Sequence, residues 1–116
     1  MKMQHVTIRV ADMERSIAFY TDVIGLKIQR DRRPQAPIVF LAETPDEVPV
    51  ELIEEPDNSY AGHGVDIGFH CNDVRKAYGE MEAAGYELSS LRNPRPGVYF
   101  LYVKDPDGVS VQFIGE

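Results

Sequence analysis

His5, Glu51, Asp66 and Gln112 combine one imidazole nitrogen with three oxygen donors, a set suited to a divalent metal ion. Two relations tie them together. Asp66 follows His5 by 66 − 5 = 61 positions, and Gln112 follows Glu51 by 112 − 51 = 61. All four also fall on the polar phase of a strand-like segment. Val6, Ile8 and Val10 alternate with His5, Thr7 and Arg9, while Ile67, Phe69 and Cys71 alternate with Asp66, Gly68 and His70. Val50 and Leu52 flank Glu51, as Val111 and Phe113 flank Gln112. A strand sends successive side chains to opposite faces, so the apolar sets go beneath a helix and the four polar residues face a cavity on the other side. A single His or Glu on a half-buried strand usually faces solvent. The common phase and common offset set these four apart.

The elements that must position them repeat as well. After the first strand, Asp12 is placed to cap a helix with the apolar stripe Met13, Ile17, Tyr20 and Ile24, closed by Gly25. After the Asp66–Cys71 strand, Asp73 caps a second helix with the stripe Val74, Tyr78 and Met81, closed by Gly85. The cap spacing is 73 − 12 = 61, and Pro45-Asp46 recurs as Pro106-Asp107 at the same offset. Each half carries two further strands before that turn: Leu26 to Arg33 and Ile38 to Ala42, then Glu87 to Leu91 and Val98 to Lys104. The closing strands are Pro49 to Ile53 and Ser110 to Ile114.

The expected fold class is therefore α+β: two tandem βαβββ units, about 1–58 and 62–116, in one domain spanning 1–116. A half this short cannot bury its sheet alone, so two must pair, within the chain or across a dimer, as a concave mixed sheet with helices outside. A net charge of −7 and a pI near 4.9 oppose a nucleic-acid partner, which needs a basic face. No apolar run approaches a membrane span and the first residues lack the pattern of a secretion signal, so a cytoplasmic location is expected. One cysteine, Cys71, excludes an internal disulfide and reads as a small core residue.

The run His5-Val6-Thr7-Ile8-Arg9-Val10, Phe19-Tyr20 before Gly25-Leu26, and Asp105-Pro106-Asp107-Gly108 resemble the vicinal oxygen chelate superfamily of glyoxalase I, bleomycin-resistance proteins and extradiol dioxygenases. The resemblance covers nearly the whole chain. It implies metal ligands at His5, Glu51, Asp66 and Gln112, the four positions that phase and offset also select. Glyoxalase I enzymes usually carry His at the third position and Glu at the fourth, where this chain has Asp66 and Gln112. The carboxylate of the last strand shuttles the proton in those relatives; an amide has no useful basicity, which leaves Glu51 as the candidate base. Extradiol dioxygenases and fosfomycin-resistance enzymes use His, His and Glu at the first, third and fourth positions. Only the first is matched, which disfavours both.

Two functions follow. The first is a metal-dependent lyase or isomerase of glyoxalase I type acting on a small carbonyl compound or its thiol adduct. It would use one divalent ion (nickel, cobalt, manganese, iron or zinc), with Glu51 moving the proton, in a homodimer. The alternative is a metal-free binding protein that sequesters an antibiotic-like molecule, with Tyr60, Tyr99 and Tyr102 as candidate pocket walls. Arg30, Arg32, Arg33, Arg92 and Arg95 are candidate cations for an anionic substrate, though loop-proximal arginines are usually just solvated. His70 is a candidate pocket wall, and His63 sits in a Gly-His-Gly linker.

Overall fold

A computed structural model describes residues 1–116, which divide into two compact units, Met1–Tyr60 and Ala61–Glu116. Unit 1 contains β1 (Val6–Val10), α1 (Met13–Ala18), β2 (Lys27–Asp31), β3 (Ile38–Ala42) and β4 (Val50–Glu54). Its strands form one sheet in the order β1-β4-β3-β2, with β1 and β4 parallel and the other pairs antiparallel. Unit 2 contains β5 (Asp66–Cys71), α2 (Val74–Ala83), β6 (Arg92–Arg95), β7 (Val98–Lys104) and β8 (Ser110–Gly115), in the equivalent order β5-β8-β7-β6. The two tandem βαβββ units expected from the sequence are present. No helix is long and apolar enough to cross a membrane.

Both helices start as their sequences dictate. Asp12 Oδ1 accepts from Arg15 N at 3.1 Å, and Asp73 Oδ1 accepts from Lys76 N at 3.1 Å. A second acceptor completes each cap: Glu54 Oε2 takes Met13 N–H at 2.8 Å in unit 1, and the Glu116 carbonyl takes Val74 N–H at 2.7 Å in unit 2. Each cap thus ties a helix to the chain beside its closing strand. Gly85, at φ +83°, ends α2 with paired bonds from Gly85 N to Glu82 O and from Tyr86 N to Met81 O, a backbone sign that glycine adopts without strain.

The first helix departs from its expected stripe. Met13 and Tyr20 are buried, but Ile17 and Ile24 are only half-buried, and Ser16 and Phe19 take the inner face instead. Residues Phe19–Val23 form a π-helical turn, and the wider winding brings the consecutive Phe19 and Tyr20 both inward, their rings meeting edge to face at 5.1 Å. In α2, Val74 and Met81 are buried while Tyr78 is half-buried and donates to Glu82 at 3.2 Å.

Strand phase is as expected. Ile8 and Val10 of β1, Val39 and Leu41 of β3, Val50 and Leu52 of β4, Leu101 and Val103 of β7, and Val111 and Phe113 of β8 are buried on the helix side. Each fully buried aliphatic chain contributes about 1.5–3 kcal/mol. On β5, Ile67, Phe69 and Cys71 share that phase but are half-buried.

Two boundaries differ by more than one residue. The strand expected at Glu87–Leu91 makes only an isolated bridge, Leu88 with Val103, and the regular strand β6 lies at Arg92–Arg95. Ser89 accounts for the break, because its hydroxyl accepts Tyr102 N–H at 2.9 Å where a ladder carbonyl would otherwise stand. In unit 1 the strand expected over Leu26–Arg33 is shorter, Lys27–Asp31. The single offset of 61 also fails for the β3 and β7 strands. Leu41 pairs with Val50, a separation of 50 − 41 = 9, whereas Val103 pairs with Val111, a separation of 111 − 103 = 8. Phe40 is therefore the structural mate of Tyr102, at 102 − 40 = 62.

The shorter turn is organised by Asp105. Its Oδ1 accepts from Asp107 N at 2.9 Å and Val109 N at 2.8 Å, and its carbonyl accepts from Gly108 N at 3.0 Å. Thr44 stands at the equivalent place in unit 1 and supplies only a carbonyl, to Glu47 N at 3.3 Å. Val109 is consequently drawn in to 2% exposure while its mate Val48 stays 48% exposed. Asp105→Ala removes a buried charged acceptor from two amides and is expected to cost about 2–3 kcal/mol in urea unfolding. A loss under about 0.5 kcal/mol would show that the turn holds itself.

Arg33 joins β2 to α1. Its guanidinium donates to both oxygens of Asp31, at 3.0 and 2.8 Å, and to Glu14 at 2.6 Å. The guanidinium bonds to Asp31, with a further bond from Arg33 N to Oδ1 at 3.0 Å, hold the Asp31 carboxyl down at about 2, below the usual 3.8. Because the folded value is depressed, the stabilisation is complete above the unfolded value and disappears as pH falls toward 2. A carboxyl-carbon NMR titration should give Asp31 a midpoint near 2, and a midpoint near 3.8 would mean that the clamp is open in solution.

Candidate functional site

The face of the unit 1 sheet turned away from α1 carries one cross-strand row. Arg30 of β2 pairs with Phe40 of β3, Phe40 with Glu51 of β4, and Glu51 with Thr7 of β1, so all four side chains point the same way. The register shift between Ile28 and Arg30 lets Gln29 bulge and donate to the Ala42 carbonyl at 3.0 Å, which sets Arg30 onto this face. His5 precedes β1 and is anchored beside it by Val6 N donating to Pro49 O at 3.1 Å.

Glu51 is the buried charge of the row, at 8% exposure. Burying a carboxylate is costly unless donors replace water, and Thr7 Oγ1 supplies one, donating to Glu51 Oε1 at 2.5 Å. His5 Nε2 lies 3.4 Å from the same oxygen, and the imidazole meets the Phe40 ring edge to face at 6.1 Å. The His5 side chain keeps 38% exposure, so the pair opens to solvent on one side.

Unit 2 carries the corresponding row with different chemistry. Tyr102 of β7 pairs with Gln112 of β8, and Gln112 with Gly68 of β5. Gly68 stands where Thr7 stands in unit 1, at 68 − 7 = 61, and offers no hydroxyl. A Cβ there would meet Gln112 Oε1 at 3.4 Å, an ordinary contact. Gln112 instead donates through Nε2 to the Tyr102 hydroxyl at 3.4 Å. Asp66 starts β5, exposed, two residues before Gly68 as His5 lies two before Thr7. His70 is exposed on the same face as Asp66.

The fit to a metal ion is tested by the donors themselves. Ligand bonds of about 2.0–2.2 Å meeting at about 90–109° put two donor atoms about 3.0–3.5 Å apart. The 3.4 Å between His5 Nε2 and Glu51 Oε1 falls in that range, so this pair fits two adjacent positions of one coordination sphere. No three His, Cys, Asp or Glu side chains gather at one point in the chain, and the four expected ligands stand as one pair per unit.

Residues 2–113 match the Glyoxalase/Bleomycin resistance protein/Dioxygenase superfamily. The chain belongs to that superfamily. It is 30% identical over 128 residues to lactoylglutathione lyase of Salmonella typhimurium, covering 98% of this chain and 92% of the relative. It is 32% identical over 124 residues to the lactoylglutathione lyase GLX1 of Arabidopsis thaliana, covering 95% of this chain but spanning only 42% of that relative's length. Among solved structures, the trypanothione-dependent glyoxalase I of Leishmania major superposes with a TM-score of 0.82 at 27% identity, over 100% of this chain and 87% of the other. Membership agrees with the resemblance carried by the motifs.

Other candidates fare unevenly. Tyr99 is on the opposite face from Gln112, because it shares the phase of Leu101 and Val103, and Arg75 of α2 stacks over its ring at 4.6 Å. Arg33 is committed to Asp31 and Glu14, and Arg92 donates to Ser90 at 3.0 Å. Thr7 had no role in the sequence reading, and Tyr102, a candidate pocket wall, is found opposite Gln112 on the same face. The signal for Thr7 was its position two residues after His5, and for Tyr102 it required the one-residue shift between β3 and β7.

Proposed function

We propose that this chain is a lyase of glyoxalase I type, acting on the thiol adduct of a small α-oxoaldehyde. The observation that carries the reading is the buried Glu51 beside His5, on the open face of a superfamily member aligned along 92% of a lactoylglutathione lyase. S-lactoylglutathione is an isomer of the hemithioacetal of methylglyoxal and glutathione. Interconverting them moves one carbon-bound proton to the neighbouring carbon and shifts the carbonyl oppositely. The Glu51 carboxylate takes that proton and returns it, while Gln112, with no basic atom, orients the substrate. His5, Glu51, Asp66 and Gln112 would hold the divalent ion, and when bound it stabilises negative charge on the substrate oxygens. We read the working form as a homodimer. Arg30, exposed on the Glu51 face, supports an anionic substrate tail. The metal-free antibiotic-binding alternative has less support, because the relatives at 30% identity and above are named as lyases.

Two measurements test this. Elemental mass spectrometry on protein kept from chelators and nickel resin should find close to one divalent ion per four-donor site. Protein that retains no metal and binds no added nickel, cobalt, manganese or zinc would return the metal-free reading. Glu51→Gln should lower kcat on the hemithioacetal at least about 100-fold while preserving the circular dichroism spectrum, and wild-type turnover in that variant would remove Glu51 from the role of base.

A further inference from the structure

We propose that Thr7 is the positioning residue of Glu51, fixing which carboxylate oxygen works; this rests on the lyase reading. The Thr7 hydroxyl and His5 Nε2 both contact Oε1, at 2.5 and 3.4 Å, so Oε2 is the oxygen without a protein donor. A carboxylate free to rotate presents either oxygen to the reacting carbon or the metal. One anchored by a short bond at Oε1 keeps that oxygen beside His5 Nε2, where a metal ion would be held, and leaves Oε2 in a constant direction for the reacting carbon. The anchor is itself rigid: Thr7 is β-branched, lies in the parallel β1 strand and is the direct partner of Glu51 across the ladder.

The fold does not require this hydroxyl. Unit 2 builds the same parallel pair, Gly68 opposite Gln112, with no side chain at the equivalent position. Valine fills the space of threonine and suits a strand as well, so Thr7→Val should fold while losing the donor. The difference between the rows follows the chemistry. The half bearing a carboxylate has a hydroxyl donating to it, whereas the half bearing an amide has the Tyr102 oxygen accepting from it.

The test compares wild type, Thr7→Val and Thr7→Ser in two assays. One is calorimetric titration of chelator-stripped protein with nickel ion alone; the other is kcat and KM on the hemithioacetal of methylglyoxal and glutathione. Thr7→Val should weaken nickel binding and lower kcat, each by about 10-fold to 100-fold, with KM within about twofold. Thr7→Ser should return both to within about threefold of wild type. If Thr7→Val does not fold, Thr7→Ala, which also lacks the hydroxyl, replaces it. Unchanged nickel affinity and kcat in the hydroxyl-free variant overturn the proposal, as does a serine variant equally impaired. Wild type that binds nickel without turnover overturns the lyase reading alone, and the nickel affinities then decide the role of Thr7. Wild type that binds none of nickel, cobalt, manganese and zinc overturns both.

Discussion

The parallel pairing of β1 with β4 is the constraint on which the unit 1 site depends. It sets Thr7 directly opposite Glu51 and His5 one diagonal step away. Without that alignment, a carboxylate at 8% exposure would face the desolvation penalty alone. The pairing is held from behind by Ile8, Val10, Val50 and Leu52 on the helix side, so apolar packing on one face fixes polar geometry on the other. A slip of one residue would exchange the faces and send Glu51 into the core.

The same backbone plan serves two chemistries. The parallel register, cap positions and sheet order recur in unit 2, yet its row reads Tyr102, Gln112, Gly68 where unit 1 reads Phe40, Glu51, Thr7. One half holds a basic group against a donor. The other holds a neutral amide against a phenol and leaves Asp66 exposed at the strand start. On the proposed reading the proton transfer falls to Glu51 in the first row, and Gln112 in the second row can only bind.

The helix caps connect this site to the rest of its unit. Glu54 ends the strand that carries Glu51 and accepts Met13 N–H, so the N-terminus of α1 is fastened to β4 three residues from the site. The clamp of Arg33 on Asp31 and Glu14 fastens the opposite edge of the sheet to the same helix. The Glu54 attachment also places a carboxylate at a helix start, where the backbone dipole favours an anion.

The sequence by itself determined the βαβββ repeat, both N-caps and the face of every site strand, because period-two alternation and cap chemistry are local properties of the chain. It did not determine the inner face of α1, since a π-helical turn changes the period that an apolar stripe is read from. Nor did it place the strand beside β7, where the Ser89 hydroxyl takes a ladder amide and moves the regular pairing to Arg92–Arg95. The partnership of Thr7 with Glu51, and of Tyr102 with Gln112, belongs to tertiary structure alone. Those residues lie 44 and 10 positions apart, and only the register of the paired strands brings a hydroxyl within reach of each.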